Sequence, residues 1–385
     1  MPIKFKISAP GRIYMCGEHM VMYGKHALST SLNLRSTVEF CEIVNSTIRI
    51  NFPAIDLLLD VPVQLINKFI SSENYRYLVD DNILFLRHVQ YFITVNGMWK
   101  TYDQRFSLQT FFFLFLFISY HEKIEITAFN MLLTTQLPVG KGLGSSSSFA
   151  VCLAACFLHW GRLQKGRHEG FTNQELDMIS EWAMFSEEVI QNYVFETDHD
   201  VCTHGHMTLF RYKELVDSPI RFLHMSEMSI LLIDSKFYND KQEQMKKLAV
   251  MKRTHRNGVN VILNKIDNVS REVYITLSKI KASQRSNNVQ LVQELYKTLQ
   301  NNITLNQDML KNLNLSHPNL ERIFDIATRY GFAGKLTGFV SAYAYILLPP
   351  NTLKEHFDTL CDQLHIEGFY PIVSNINSRG VTIEN

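Results

Sequence analysis

The chain of 385 residues lacks an excess of charge of either sign. Lys and Arg number 38 against 37 Asp and Glu, which gives a formal net charge of +1. Nucleic-acid-binding faces and surfaces for anionic membranes depend on clustered positive charge. The composition therefore favours neither a nucleic acid nor a membrane as a partner.

Cysteine is scarce, and no two cysteines form a C-x-x-C pair among the six in the sequence. Disulfide scaffolds and zinc ribbons use regularly spaced cysteines, so neither class is expected. The N-terminal stretch "MPIKFKISAPGR" also lacks the apolar core of a signal peptide. These absences predict a reduced, cytoplasmic setting.

No apolar run approaches the roughly 20 residues that a membrane-spanning helix needs. The most apolar stretch, "FFFLFLFISY" at 111–120, is too short by about half. We therefore predict a buried helix there, within a helical region over 78–120.

Strands and helices alternate without a regular βαβ order, and no repeat or low-complexity linker is present. This order predicts an α+β fold rather than a doubly wound sheet. Strands are expected at 3–8, 34–43, 46–55, 123–132, 206–212, 227–235 and 371–376, and long C-terminal helices at 241–265, 271–283, 287–313 and 318–330.

A glycine-serine loop, "LPVGKGLGSSSS" at 137–148, precedes an apolar segment long enough for a buried helix. Glycines let backbone N–H groups approach an anion, and a helix N-terminus adds unpaired donors. The loop is not a Walker A motif, because Gly144 is followed by Ser145. Two interpretations stay open: a phosphate site, or a glycine-rich turn with Ser145 as helix N-cap.

One carboxylate lies on the apolar face of a predicted helix that begins with a capping box at Thr172 and Glu175. At helical spacing, the residues of this apolar face lie within a stripe about 60° wide. They are Leu176, Ile179, Ala183, Glu187 and Ile190. A buried carboxylate needs a cation or a hydrogen-bond partner. Glu187 is thus either a Mg²⁺ ligand or half of a buried salt bridge.

Four stretches resemble the GHMP kinases, and within them the mevalonate kinase family. The glycine-serine loop resembles the signature P-x-x-x-G-L-G-S-S. The other three are "APGRIYMCGEHMVMYGKHAL" at 9–28, "ISEWAMFSEEVI" at 179–190 and "GKLTG" at 334–338. The resemblance implies a GHMP kinase-like two-lobed fold, with a ribosomal S5 domain 2-like ATP-binding lobe over 1–225 and a ferredoxin-like lobe over 226–385.

The same resemblance implies an enzyme of isoprenoid biosynthesis that transfers the γ-phosphate of ATP to the 5-hydroxyl of mevalonate. It implies Mg²⁺ as cofactor, held by Ser146 and Glu187, and Asp198 as catalytic base beside Arg12. Mevalonate would contact Arg12, Glu18, His19 and Asp198. The implied nucleotide-binding residues are Gly140, Lys141, Gly142, Leu143, Gly144, Ser145 and Ser146. The family often forms dimers, so a homodimer is also implied.

The sequence departs from the family pattern in four places. Arg12 replaces a lysine, "NYVFET" at 192–197 replaces G-N-P-S-G-V, and "KFYNDK" at 236–241 replaces K-V-P-R-x-T. The third motif has lost its glycine run after Gly338, where Phe339, Val340 and Tyr343 would crowd the cleft.

Two alternatives therefore stay open: a catalytically impaired GHMP-fold sensor or interaction protein, and a GHMP kinase for another small hydroxylated substrate. Retention of Ser146, Glu187 and Asp198 together favours the enzyme. Asp200 competes with Asp198 as the base, but its register does not match. The cluster "DHDVCTHGH" at 198–206 lacks zinc-site spacing.

Overall fold

The structure is a computed structural model that describes residues 2–71, 75–190, 196–211, 220–221, 226–286, 288–340 and 342–384. The strands of this part are β1 (Lys4–Cys16), β2 (His26–Glu42), β3 (Thr47–Phe52), β4 (Leu57–Pro62), β5 (Phe129–Thr135), β6 (Met207–Arg211), β7 (Ile220–Arg221), β8 (Met228–Asp234), β9 (Ala333–Leu336), β10 (Tyr343–Leu347), β11 (Pro371–Ile376) and β12 (Thr382–Glu384).

The helices of the same part are α1 (Val63–Ile70), α2 (Tyr75–Val79), α3 (Asn82–Val95), α4 (Tyr102–Glu122), α5 (Ser145–Lys165), α6 (Asn173–Glu188), α7 (Glu196–His204), α8 (Lys241–Thr254), α9 (Arg256–Arg285), α10 (Val289–Asn312), α11 (Pro318–Arg329) and α12 (Lys354–Ile366). Short 3-10 turns cover Glu18–Tyr23 and Pro53–Ile55.

A single curled sheet joins these strands, and β2 is its central member. The 17-residue β2 pairs with β1 along most of its length, with β6 near its start and with β5 near its end. It also meets β11, which connects the N-terminal strands to β8, β10 and β9. The pairs are antiparallel except β3–β5. The predicted α+β class is confirmed.

Two apolar helices, α4 and α5, fill the core beside the N-terminal strands. Residues 111–118 of α4 are buried on every side, which confirms the helix predicted for the phenylalanine-rich run. Phe115 packs 5.2 Å from Phe157 and 6.4 Å from Trp160, measured between ring centroids. No helix within the described ranges is long and apolar enough to cross a membrane.

A second core lies under the C-terminal helices, where two predicted boundaries are wrong. The predicted break at 266–270 is absent, because buried Ile266 and Val269 continue the apolar stripe of α9. The chain breaks instead at His255, between α8 and α9.

Two further predictions need correction in the N-terminal half. The helical region 78–120 is divided between α3 and α4, with a turn through Gly97 at positive φ. The predicted strand 123–132 begins only at Phe129, since Lys123 takes a left-handed C-cap conformation after α4.

The predicted domain boundary follows residue 225. It adjoins residues 222–225, which lie outside the described residues.

The predicted capping box of α6 is confirmed and gives a stability prediction. Thr172 Oγ1 accepts a hydrogen bond from the Glu175 N–H, and the Glu175 carboxylate accepts one from the Thr172 N–H. Thr172→Ala should lower the free energy of unfolding by about 1 kcal/mol. Thr172→Ser keeps the hydroxyl and should stay near the wild type in urea denaturation. Equal losses in both variants would contradict a capping role.

Candidate active site

Three glycines shape the loop before α5. Gly140, Gly142 and Gly144 have φ angles of 72°, 84° and 77°, a left-handed region that favours glycine. Gly144 is the N-cap of α5, so Ser145 is the first helical residue rather than the cap. Ser145 instead accepts a hydrogen bond on Oγ from the Gly140 N–H at 3.2 Å. The loop thus folds back over the N-terminus of a long buried helix.

Close backbone contact holds this loop against β1. The Arg12 N–H donates to the Leu143 carbonyl at 2.9 Å. A Cβ on Gly11 would lie 2.6 Å from that carbonyl oxygen, and a Cβ on Gly144 would lie 2.9 Å from the Arg12 nitrogen. Any larger residue at Gly11 or Gly144 would therefore push β1 and the loop apart.

Arg12 and Tyr14 both point from β1 to Asp198 on α7. Arg12 Nη2 lies 2.5 Å from Asp198 Oδ2, and the Tyr14 hydroxyl donates to Asp198 Oδ1 at 2.7 Å. Arg12 Nη1 also donates to the Gly142 carbonyl at 3.2 Å. Both members of the ion pair are buried. The structure thus brings Arg12, Asp198 and the glycine-serine loop together.

Lys241, the first residue of α8, is a second cation close enough to interact electrostatically with Asp198. Its Nζ lies 5.5 Å from the centre of the Phe339 ring. Burial lowers the pKa of the Lys241 ammonium, the Asp198 carboxylate opposes that shift, and the nearby Arg12 charge adds to it. Lys241 closes the "KFYNDK" stretch, so a cation survives where the family pattern is lost.

Glu187 is buried, as its helical stripe predicts, whereas the adjacent Glu188 is exposed. Its Oε2 accepts a hydrogen bond from the Ser147 hydroxyl at 3.3 Å and lies 2.9 Å from His199 Nε2. No hydrogen bond joins Ser146 to Glu187 within the described residues. The hydroxyl that hydrogen-bonds to Glu187 is thus that of Ser147, one position after the serine that the resemblance implies.

The surroundings of Glu187 are chemically suited to a bound cation. Glu187 Oε1 is buried and makes no hydrogen bond within the described residues. A buried carboxylate oxygen without a partner is costly, and a bound divalent cation would satisfy it. No group of three or more His, Cys, Asp or Glu side chains that could hold a metal occurs in the described part of the chain. Protein ligands would therefore be few.

Glu18 contacts the third motif from the 3-10 turn after β1. Its Oε1 lies 2.7 Å from Nζ of Lys335 on β9, and both side chains are fully buried. Lys335 also donates to the Leu336 carbonyl at 2.7 Å. Glu18 thus anchors the "GKLTG" strand to the opening motif.

His19 faces the altered third loop. The Phe339 ring packs edge-on against His19, 4.9 Å between centroids, and lies 6.1 Å from the Tyr14 ring. Burial lowers the pKa of His19 to about 4, so the imidazole is neutral at physiological pH. Val340 lies 3.1 Å from where a Cβ on Gly142 would be. The side chains that replace the glycine run therefore occupy the space between the loop and His19.

The remaining candidates lie elsewhere or outside the described residues. The carboxylate of Asp200 lies 3.5 Å from the Thr208 hydroxyl and 3.8 Å from His204 Nε2. The segment 198–204 is helical, so His204 and His206 do not share a strand face. Residues 192–195 of "NYVFET" and Ser341 of the third loop lie outside the described residues.

Tyr14 and Lys241 were missed by reasoning from the sequence. Tyr14 is two residues after Arg12 on a strand, a spacing that places both side chains on one face. That alternation was the available signal. No signal in the sequence pointed to Lys241, because its approach to Asp198 depends on the packing of α8 against the N-terminal strands.

Comparisons with known proteins agree with this geometry. A family model described as the GHMP kinases N terminal domain matches residues 112–175. A mevalonate kinase of Bos taurus is 29% identical over 388 residues, covering 98% of this chain and 94% of the relative. One from Gibberella zeae is 27% identical over 397 residues, covering 98% and 77%.

The crystal structure of the Methanococcus jannaschii mevalonate kinase has the same fold. It superposes with a TM-score of 0.70 at 21% identity, covering 98% of this chain and 99% of the other. The fold, the family match and the near-full-length similarity all agree. The chain therefore contains a segment that matches the GHMP kinases N terminal domain, and over nearly its full length it is similar to mevalonate kinases.

Proposed function

We propose that the chain transfers the γ-phosphate of ATP to the 5-hydroxyl of mevalonate, giving 5-phosphomevalonate for isoprenoid biosynthesis. The names of the curated relatives support the substrate. The observation that carries the proposal is the buried carboxylate of Asp198, which two cations and a tyrosine surround beside a phosphate-type loop.

The loop over 140–146 is our proposed site for the ATP phosphates. Its left-handed glycines carry no side chain that would keep an anion from the backbone, and the first turn of α5 carries N–H donors without helical partners. Together these backbone donors would bind the phosphate oxygens. Lys141 lies in the same loop and would add a positive charge near them.

Asp198 is our proposed catalytic base. Burial alone would raise the pKa of its carboxyl, but Arg12, Lys241 and the hydrogen bonds from Arg12 and Tyr14 lower it below its usual value. Asp198 is therefore ionised at neutral pH and can accept the proton of the acceptor hydroxyl. Phosphoryl transfer asks mainly for such positioning and for charge stabilisation.

Arg12 and Lys241 would both stabilise the transferring phosphoryl group. Arg12 is held by Asp198 and the Gly142 carbonyl, so its guanidinium is already oriented toward the loop. Lys241 belongs to the C-terminal half of the chain. Preorganised cations of this kind lower the barrier because charge develops on the phosphoryl oxygens in the transition state.

Ser146 and Glu187 are our proposed Mg²⁺ ligands, with Ser147 as the hydroxyl that already contacts Glu187. Bound Mg²⁺ would neutralise charge on the β- and γ-phosphates. The partnerless Oε1 of Glu187 supports this assignment. Mg²⁺ usually takes only one or two protein oxygens, with phosphates and water completing its octahedron.

Glu18 and His19 would line the acceptor side, next to Phe339. The Phe339 ring fills part of this space, so it would set the size of the acceptor. The neutral His19 can donate to or accept from an acceptor oxygen without adding charge.

Three further proposals rest on the resemblance. We place the two lobes at 1–225 and 226–385, the protein in the cytoplasm and the chain in a homodimer. Sedimentation velocity would test the dimer, since a monomeric mass at micromolar concentration would reject it. Cell fractionation would test the proposed location. Limited proteolysis would test the two lobes, because cleavage near residue 225 is expected if the boundary lies there.

The first prediction concerns turnover. Purified protein with Mg-ATP should release ADP only when mevalonate is added. Asp198→Asn should lower kcat at least 100-fold, because the general base is lost. Asp60→Asn removes an exposed carboxylate paired with Arg49 and should leave kcat unchanged. ATP binding without mevalonate-dependent turnover would reject the proposed activity.

The second prediction concerns pH. Because the pKa of Asp198 is lowered in the folded state, its ionisation stabilises the fold above an unfolded pKa of about 3.9. Asp198→Asn should cost about 3 kcal/mol at pH 7, since Arg12 loses its buried partner. The deficit should shrink as the pH falls below about 4. Urea denaturation of both proteins from pH 7 to pH 3 measures the loss of stability at pH 7 and its decrease at low pH. A pH-independent loss would contradict the ion pair.

The third prediction concerns Phe339. Phe339→Ala should lower the KM for mevalonate several-fold and leave the KM for ATP unchanged, because only the acceptor side gains space. Phe339→Leu should give an intermediate value. Steady-state kinetics with each substrate varied in turn measures the change. A rise in the mevalonate KM would mean that the ring supports His19 rather than restricts the acceptor.

A further inference from the structure

Tyr14 of β1 holds the second oxygen of the Asp198 carboxylate. Its hydroxyl donates to Oδ1 at 2.7 Å, while Arg12 binds Oδ2. The two donors are two residues apart on the strand, a spacing that places them on one face, and Tyr14 is completely buried. One strand therefore supplies a separate donor to each oxygen of a carboxylate on α7.

The two donors together fix the orientation of the carboxylate. The torsion that turns an aspartate carboxylate has a broad energy well, so a bond to one oxygen leaves that torsion soft. A second bond, at the other oxygen, removes the remaining freedom. An ionised carboxylate offers about four lone-pair sites, so about two stay open for an acceptor hydroxyl after Arg12 and Tyr14 have bound. The Tyr14 hydroxyl thus sets the plane in which those open sites lie.

The Tyr14 phenol acts only as a donor in this contact. Burial and, after it, the Asp198 charge raise the pKa of Tyr14 well above its usual value. The phenol therefore keeps its proton at neutral pH and cannot take one from the acceptor. Proton transfer stays with Asp198, and the contribution of Tyr14 is geometric.

The Tyr14 ring is itself fixed by its neighbours. The Phe339 ring lies 6.1 Å away edge-on, and the Phe210 ring lies 6.2 Å away, both measured between centroids. Met245 and Val21 belong to the same small apolar cluster. Side chains from the 3-10 turn, β6, α8 and the third motif thus pack around the ring and hold its hydroxyl in one place.

The same ring also contacts Arg12. The guanidinium carbon lies 4.9 Å from the ring centre, within the range of a cation–π interaction. A planar guanidinium can stack on a ring while its nitrogens bind other partners, and here those partners are Asp198 and the Gly142 carbonyl. Tyr14 therefore contacts both the proposed base and the cation that stands in place of the family's lysine.

We propose that Tyr14 is a positioning residue that presets the Asp198 carboxylate and the Arg12 guanidinium for the acceptor hydroxyl. The inference rests on the proposed function in that Asp198 is the base there. It adds a neutral hydroxyl to the two cations as a group that controls the transfer. Arg12, Lys241 and Tyr14 are the titratable and charged side chains that lower the pKa of Asp198 against the effect of its burial.

The variant Tyr14→Phe keeps the ring and removes only the hydroxyl. It should lower kcat about tenfold, because a misplaced base costs rate, and leave the KM for ATP unchanged. Tyr75→Phe is the matched control, since the Tyr75 hydroxyl is also buried and donates to the Leu116 carbonyl of α4 at 2.9 Å. This control should keep the wild-type kcat. Equal kcat values in the two variants would overturn the proposal.

The pH profile separates the positioning of a charged base from a general loss of structure. Because the hydroxyl bond lowers the pKa of Asp198, its removal should raise that pKa. The kcat/KM of Tyr14→Phe, divided by the wild-type value at each pH, should therefore fall further as the pH drops from 7 to 4. The substrates titrate identically in both proteins, so their protonation cancels in this ratio. A ratio that does not change with pH would also overturn the proposal.

Urea denaturation separates this inference from the proposed activity. Normal wild-type turnover with an unaffected Tyr14→Phe would reject the inference alone. If the wild type releases no ADP with mevalonate, the proposed activity fails, and stability then decides the Tyr14 contact. Tyr14→Phe should lower the urea midpoint at pH 7 and lower it less at pH 3, because less of Asp198 is ionised there. Tyr75→Phe should show the same loss at both pH values, and the same behaviour in Tyr14→Phe would reject the contact with the charged base.

Discussion

The rest of the site depends on the contacts of one buried side chain, Arg12. Its backbone N–H binds the Leu143 carbonyl, Nη1 binds the Gly142 carbonyl and Nη2 binds Asp198. One residue of β1 thereby fixes both the phosphate-type loop and the start of α7. Because a buried guanidinium without its carboxylate is strongly destabilising, these segments hold their positions together.

A second constraint joins the opening motif to the C-terminal half of the chain. Lys335 reaches Glu18 in a fully buried ion pair, and Phe339 packs on His19. Both contacts link the opening motif to the third motif. Phe339 packs on His19 and Val340 lies next to Gly142, so side chains rather than bare backbone face the opening motif and the loop. An altered third motif can thus coexist with the glycine-serine loop and the buried carboxylate of Asp198.

Features with a local signature were predictable from the sequence. The glycine pattern before α5, the capping box of α6 and the burial of Glu187 all follow from spacing along one segment. The contacts of Tyr14, Lys241 and His199 do not, because each joins elements far apart in the chain. Ser147 rather than Ser146 reaches Glu187 for a similar reason: the rotation of α5 against α6 decides which hydroxyl faces inward.

The sequence by itself determined the α+β class, the buried helices, the glycine loop and the resemblance to the GHMP kinases. These properties depend on periodicity, residue type and short motifs, all of which follow from the order of residues within one segment. Only the tertiary structure decided which charges meet Asp198 and which atoms surround Glu187. Electrostatic contacts depend on distances of a few ångströms between side chains from different elements, and packing alone sets those distances.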